Sequence, residues 1–200
     1  MIKSKKFIIL ILLAVVVLFG VVKSVSTYNV LSKSQQQVNL ALAEVETQYQ
    51  RRYDLIPNLV NTIKAQSNFE QKTLTDVINA RAQATSVKLN VEDLTEEKLA
   101  QLQQAQNGLS QALSRLLMVT ENYPTLQTNE SFLSFQAQLE GIENRVAFAR
   151  SEYNKYVLAF NTDLKTFPNN IFGRLLGFKV IPYFQSVNGA QNAPVVDFGN

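Results

Sequence analysis

Apolar residues recur in this chain every three or four positions, the spacing of a one-sided helical stripe. The first series is Val38, Leu42, Val45, Tyr49, Tyr53, Ile56, Val60 and Ile63. Its mean step is about 3.6 residues, the α-helical period. The series keeps phase across Pro57, where a loop would reset it. The pattern therefore predicts a single helix bent at the proline, which removes one hydrogen bond and crowds the Tyr53 carbonyl four residues back. A second reading has Asp54 capping a restarted helix, with Pro57 in its first turn. Ser67 and Glu70 match a capping box and fall where the stripe lapses, which predicts a bend or tight turn.

A helix through Leu74, Val77, Ile78 and Arg81 follows, then the polar loop SVKLNVED. Asp93 with Glu96 is expected to open the next helix. Its stripe is Leu99, Leu102, Leu109, Leu113, Leu116 and Thr120, and it stops before Pro124. Beyond the turn YPTLQTN comes the clearest series: Phe132, Phe135, Leu139, Ile142, Val146, Ala149, Tyr153, Tyr156 and Phe160. Steps of three and four across such a length make a coiled-coil-like seam. Phe167-Pro168 ends it. No segment alternates as a strand does. The expected fold is all-α, an elongated antiparallel helical bundle.

Ahead of the bundle, MIKSKK precedes sixteen uninterrupted apolar residues, Phe7 to Val22. As a helix they span about 24 Å, short of a roughly 30 Å hydrocarbon core. Lys6 and Lys23 extend the span by snorkelling. The expectation is a single transmembrane helix that meets the lipid bilayer through residues 7–22. The lysines at 3, 5 and 6 place the N-terminus in the cytoplasm and the bulk of the chain outside. A cleaved signal peptide is the competing reading, because Ser24-Val25-Ser26 offers small residues at cleavage spacing. The length of the apolar run favours an uncleaved anchor. The chain thus divides into residues 1–27 (basic end and anchor), 28–185 (bundle) and 186–200, a polar tail expected to be mobile.

Charge changes the picture little. The net charge is +3, but without the four lysines flanking the apolar run fifteen basic residues face sixteen acidic ones. That balance gives no footprint for nucleic acid. The chain has neither histidine nor cysteine. Ser-His-Asp, H-E-x-x-H, zinc-deaminase and E-x-x-H di-iron chemistries are therefore excluded, as is a thiol nucleophile. No phosphate-cradling G-x-x-x-x-G-K-[ST] occurs. The reading is of a non-enzyme, with no catalytic, cofactor-binding or metal residue assigned.

The polar residues that remain are read mostly as structural. Around Pro57, Arg51 and Asp54 are expected to pair at i and i+3, with Asn58 beside them. Arg52 is left as the candidate contact for a partner. On the last long helix, Glu143, Asn144, Arg150, Asn154 and Asn161 complete a candidate network that fixes helix register. Glu140 and Glu143, one turn apart beside arginines, read as a solvated face rather than an acid–base pair. The acidic cluster Glu92, Asp93, Glu96 and Glu97 suits a helix start. Residues 169–184, rich in Phe, Leu and Ile with Arg174 and Lys179, either cover the end of the bundle or lie in a membrane interface. Bundle packing is favoured.

RRYDLIPNLV at 51–60, ENYPTL at 121–126 and LEGIENRVAFARSEYNKYV at 139–157 resemble the LemA family of membrane-anchored helical proteins. Asn161, Phe167-Pro168 and the pair Tyr28-Asn29 after the apolar anchor fit as well. Phe69 departs from the pattern, which leads one to expect a histidine before Glu70. The resemblance implies a LemA-like helical fold and a bacterial membrane protein, and it brings no catalytic residue. It also implies candidate partners, because such proteins are associated with a membrane zinc protease and some relatives shape magnetosome membranes. The functional expectation is a non-catalytic scaffold or interaction protein of the bacterial envelope. Its partner is an unknown envelope protein, a membrane protease being one candidate, or a second copy in a homo-oligomer. The alternative is a membrane-shaping organiser that assembles laterally or contacts lipid.

Overall fold

The computed structural model describes residues 2–65 and 69–185. Helix α1 (Ile2–Lys64) is one unbroken helix of 63 residues, about 94 Å long at 1.5 Å per residue. Its N-terminal part is long and apolar enough to cross a membrane. There the described apolar side chains, from Phe7 to Val22, are exposed on every side of the helix. Beyond the anchor the pattern becomes one-sided. All eight members of the Val38–Ile63 series are buried, and the stripe extends back through Ser34, Leu31 and Thr27. The expected boundary after residue 27 therefore falls inside α1.

Four further helices complete the bundle: α2 (Gln71–Ser86), α3 (Glu96–Thr120), the single turn α4 (Pro124–Gln127) and α5 (Glu130–Lys165). A short α6 (Asn169–Leu175) follows, and no strand occurs among the described residues. Helix α5 runs antiparallel to α1 along most of the bundle. Its buried residues include Phe132, Leu139, Ile142, Val146, Ala149, Tyr153, Val157 and Phe160. Helices α2 and α3 pair as a second layer over the α1–α5 pair. The predicted α3 stripe is buried throughout.

Local capping differs from expectation at two starts. Thr95, not Asp93, caps α3 by accepting the Lys98 N–H at 3.2 Å. Asp93 instead closes a 3₁₀ turn (Val91–Asp93) capped by Asn90, and its carboxylate pairs with Lys98. Thr95 wins because its side chain stands three residues before the first free amide it can reach. Glu70 is itself the residue before α2 and makes no side-chain cap. Its expected partner Ser67 lies outside the described residues, as does the tail 186–200. Asn129 caps α5, accepting from the Phe132 N–H at 3.0 Å.

Pro57 lies inside α1 and the helix does not restart at Asp54. Proline leaves the Tyr53 carbonyl without its helical donor, and a buried acceptor left bare is costly. Arg81 of α2 supplies the replacement: its Nε donates to the Tyr53 carbonyl at 2.9 Å. The Tyr53 hydroxyl in turn donates to the Ala84 carbonyl at 3.1 Å. Two bonds to one residue thus set the axial position of α2 on α1.

Arg81→Met should lower stability by about 1–3 kcal/mol, the cost of a buried acceptor losing its donor. In a Pro57→Ala background the residue-57 amide returns to the Tyr53 carbonyl, and the same substitution should cost less than half as much. Urea unfolding of the four proteins in the double-mutant cycle checks this. Equal costs in both backgrounds would mean that Arg81 does not compensate the proline.

Candidate functional site

Three constructions stand out. The first surrounds Arg52. Its side chain is 2% exposed, three residues after Tyr49 and four before Ile56. The guanidinium Nη1 donates to Gln106 Oε1 at 3.4 Å and to Ser110 Oγ at 3.2 Å on α3. Nη2 forms an ion pair with Glu143 on α5, whose side chain is 49% exposed. Ser110 Oγ also faces Glu143 Oε1 at 3.4 Å. Gln106 Nε2 donates to the Tyr53 hydroxyl. One buried arginine thereby joins α1, α3 and α5. Its Nε is buried without a hydrogen-bond partner.

The surroundings suit a tie better than a reaction. Burial pushes the Tyr49 and Tyr53 hydroxyls above the usual phenol range and pushes Arg52 below its ordinary value. The phenols stay protonated, and they are not poised as bases. Among the described residues no group of three or more His, Cys, Asp or Glu side chains converges to hold a metal.

The second construction holds the end of the chain. Helix α6 closes at Gly177, whose φ of 86° turns the backbone left-handed. The Gly177 N–H meets the Arg174 carbonyl at 3.1 Å and the Phe178 N–H meets the Gly173 carbonyl at 3.0 Å. This is a Schellman closure. The chain then runs back along α5 as a strap over residues 178–185. Asn161 accepts from the Ile181 N–H at 3.0 Å and donates to the Ile181 carbonyl at 2.9 Å. Asn154 does the same for Phe184, both bonds at 2.9 Å. Seven residues of helix rise about 10.5 Å, and three residues of extended chain cover about 10 Å. The two asparagines therefore match the strap in register. Between them Tyr153 donates to the Pro182 carbonyl at 3.1 Å, and its ring meets Phe184 edge-on at 5.0 Å. Arg150 donates from Nε to the Tyr49 hydroxyl at 2.8 Å and lies over the Phe184 ring at 5.3 Å. It ties α1, α5 and the strap together.

The third construction is an open groove on the α1–α5 pair. Two hollows, about 550 and about 540 Å³, share Arg145. Leu40 and Phe148 flank the first and are 72% and 69% exposed. Gln48, buried in the same lining, leaves its Oε1 without a partner. Arg51 and Asp54 line the second hollow.

These placements revise the expectations for individual residues. Arg52 is not a surface contact, because its guanidinium is spent inside the bundle. Arg51 and Asp54 do not pair; Asp54 Oδ1 accepts from Gln50 Nε2 at 2.7 Å. Asn58 and Asn144 are exposed and stand apart from the network. Glu143 belongs to the Arg52 centre, whereas Arg150, Asn154 and Asn161 hold the strap. Gln106 and Ser110 were missed by sequence reasoning. Gln106 had a signal: it lies in phase between Leu102 and Leu109.

A family model described as the LemA family matches residues 41–198. Among curated proteins, magnetosome proteins MamQ 1 and MamQ 2 of Paramagnetospirillum magneticum are each 33% identical over 92 residues. Magnetosome protein MamQ of Magnetospirillum gryphiswaldense is 29% identical over 92 residues. Each alignment covers 46% of this chain and 34% of the relative, so the match spans about a third of the relatives' length.

Asn161→Leu removes both bonds to Ile181 and should cost about 2–4 kcal/mol, from two lost hydrogen bonds and two stranded backbone groups. Residue-resolved hydrogen exchange should show the Ile181 amide opening faster than the Leu139 amide, which lies in the α5 interior. An unchanged Ile181 rate would remove the clamp from the account.

Glu143→Gln keeps an acceptor for Arg52 but removes its charge partner. Stability should fall by about 1–3 kcal/mol, less than for a fully buried pair because water screens the exposed side of Glu143. A urea midpoint equal to that of the parent protein would show that Arg52 does not need the carboxylate.

Proposed function

The chain belongs to the LemA family, and from that premise we propose that it serves as a membrane-anchored, non-catalytic scaffold of the bacterial envelope. The observation that carries this reading is α1 itself. The apolar segment and the bundle's central stripe are parts of one helix, so the bundle is held at the membrane as a rigid body. The polar residues support the same reading, because Arg52, Arg150, Asn154 and Asn161 are spent on joining elements. The lysines at 3, 5 and 6 favour a cytoplasmic N-terminus with the bundle outside. The α1–α5 groove is the docking surface. Its exposed Leu40 and Phe148 and the unpaired Gln48 oxygen suit a helix of an envelope protein that brings apolar side chains and one donor.

The absence of native cysteine makes orientation and docking testable together. Phe148→Cys and Met118→Cys each create a single thiol at an exposed position, Met118 lying on α3 away from the groove. A membrane-impermeant maleimide carrying a photoreactive group is added to cells with a permeabilised outer layer. Both thiols should label, and illumination should give a discrete adduct from position 148 only. Labelling of neither would reverse the orientation. Labelling without an adduct at 148 would reject the groove.

A further inference from the structure

The membrane-proximal end of the bundle carries an apolar, basic surface that the fold does not use. Phe167 and Leu175 are 75% and 80% exposed, and Ile171, Leu176 and Val180 are exposed beside them. Their position is fixed by Gly173. A methyl group there would come within 2.6 Å of Leu164 and 3.0 Å of Leu31, so α6 presses its glycine face against α5 and α1. Ile171 and Leu175 lie two residues to either side, about 200° round the helix, and face away from the bundle. Thr27 Oγ1 meets Asn169 Oδ1 at 3.0 Å, which places the start of α6 beside Thr27 of α1.

Thr27 is five residues beyond Val22, the last residue of the apolar run, a rise of about 7.5 Å. The headgroup layer outside a roughly 30 Å core is about 5–8 Å deep on each side. The run of sixteen apolar residues is shorter than that core, so mismatch draws the bilayer surface further up α1. Charge points the same way. Residues 164–185 hold Lys165, Arg174 and Lys179 and no carboxylate, and α1 adds Lys23 and Lys33 with no acid before Glu44. Against them stand Asp163 and, on the side of Lys179, Glu92, which lines a hollow with Tyr28 and Leu176.

We propose that α6 and the turns flanking it form a foot that rests on the anionic lipid surface of the membrane holding the anchor. Phe167, Ile171 and Leu175 enter the interface, and Arg174 and Lys179 meet lipid phosphates. The foot rests on the reading that residues 7–22 cross that membrane. Contact at a second point stops the bundle from tilting about its single helix.

The chain has no tryptophan, so one introduced residue reports on its own surroundings. The full-length chain, with Leu175→Trp, Phe19→Trp or Met118→Trp, is reconstituted in vesicles of phosphatidylcholine and phosphatidylglycerol with acyl chains brominated near the headgroup. Leu175→Trp should lose about half its fluorescence and shift to the blue, as an interfacial indole does. Arg174→Glu with Lys179→Glu in the Leu175→Trp protein should abolish that quenching. Quenching at Phe19 but not at Leu175 would overturn the foot and leave the anchor standing. Quenching at neither position would overturn both. Equal quenching at Met118, at the far end of the bundle, would show general adsorption and overturn a localised foot.

Discussion

The bundle depends on a carbonyl that has lost its donor. Pro57 is itself exposed but Tyr53 is buried, and the Tyr53 oxygen four residues before the proline must be paired by something other than the helix. If α1 broke there, Leu59, Val60 and Ile63 would rotate out of phase with the buried face that Tyr49 and Tyr53 define. Arg81 prevents this by donating to that oxygen. The same contact seats α2, so the continuity of the first helix and the docking of the second are one interaction. This explains why a helix of 63 residues tolerates an interior proline. The residue that should end it is instead the place where the second layer attaches.

Arg52, one residue before Tyr53, presents the opposite problem. Its charge is taken out of water and must be repaid by partners. Glu143 provides the opposite charge from the rim of the bundle, and Gln106 and Ser110 accept from the guanidinium. Such a centre contributes less to net stability than a well-packed apolar one of equal volume. What it fixes is the match of three helices, because sliding any of them by one turn strands the arginine. Exposing Glu143 while burying Arg52 keeps the desolvation cost to one ion.

Most of the architecture was legible because apolar side chains follow the helical period over long stretches. The stripes of α1, α3 and α5 could be written from spacing alone, and α1 could be carried through Pro57. Polar residues in the stripe's own phase were harder. Arg52 belongs to the run Val45, Tyr49, Arg52, Ile56, Leu59, Ile63, whose steps are four and three throughout. Gln106 and Asn161 sit in equivalent places on α3 and α5. For Arg52, residue type argued for the surface and phase argued for the core, and phase was right. Asn58 and Asn144 are out of phase, and both are exposed. The strap could not be read this way, because an extended chain held by asparagine side chains has no period of its own. Its only trace is the seven-residue gap between Asn154 and Asn161.

Phase also decides which way the molecule faces a bilayer. A flexible linker after residue 22 would let the bundle turn freely, and no face would be preferred. Instead the stripe Thr27, Leu31, Ser34, Val38 continues without a break from the anchor into the core. Each residue adds about 100° of rotation and 1.5 Å of rise, so the azimuth of α6 about α1 is set once α1 is. Gly173 narrows the remaining freedom, since a side chain there would have to displace the Cδ1 methyls of Leu164 and Leu31. Lys165, Arg174 and Lys179 are thereby held at that end of the bundle. If the proposed foot rests on an anionic membrane, it holds the α6 end against the surface and the α1–α5 groove clear of it. A groove held clear at a constant height and direction is what a tethered scaffold needs to meet a partner in the same membrane, because the search is reduced from three dimensions to two.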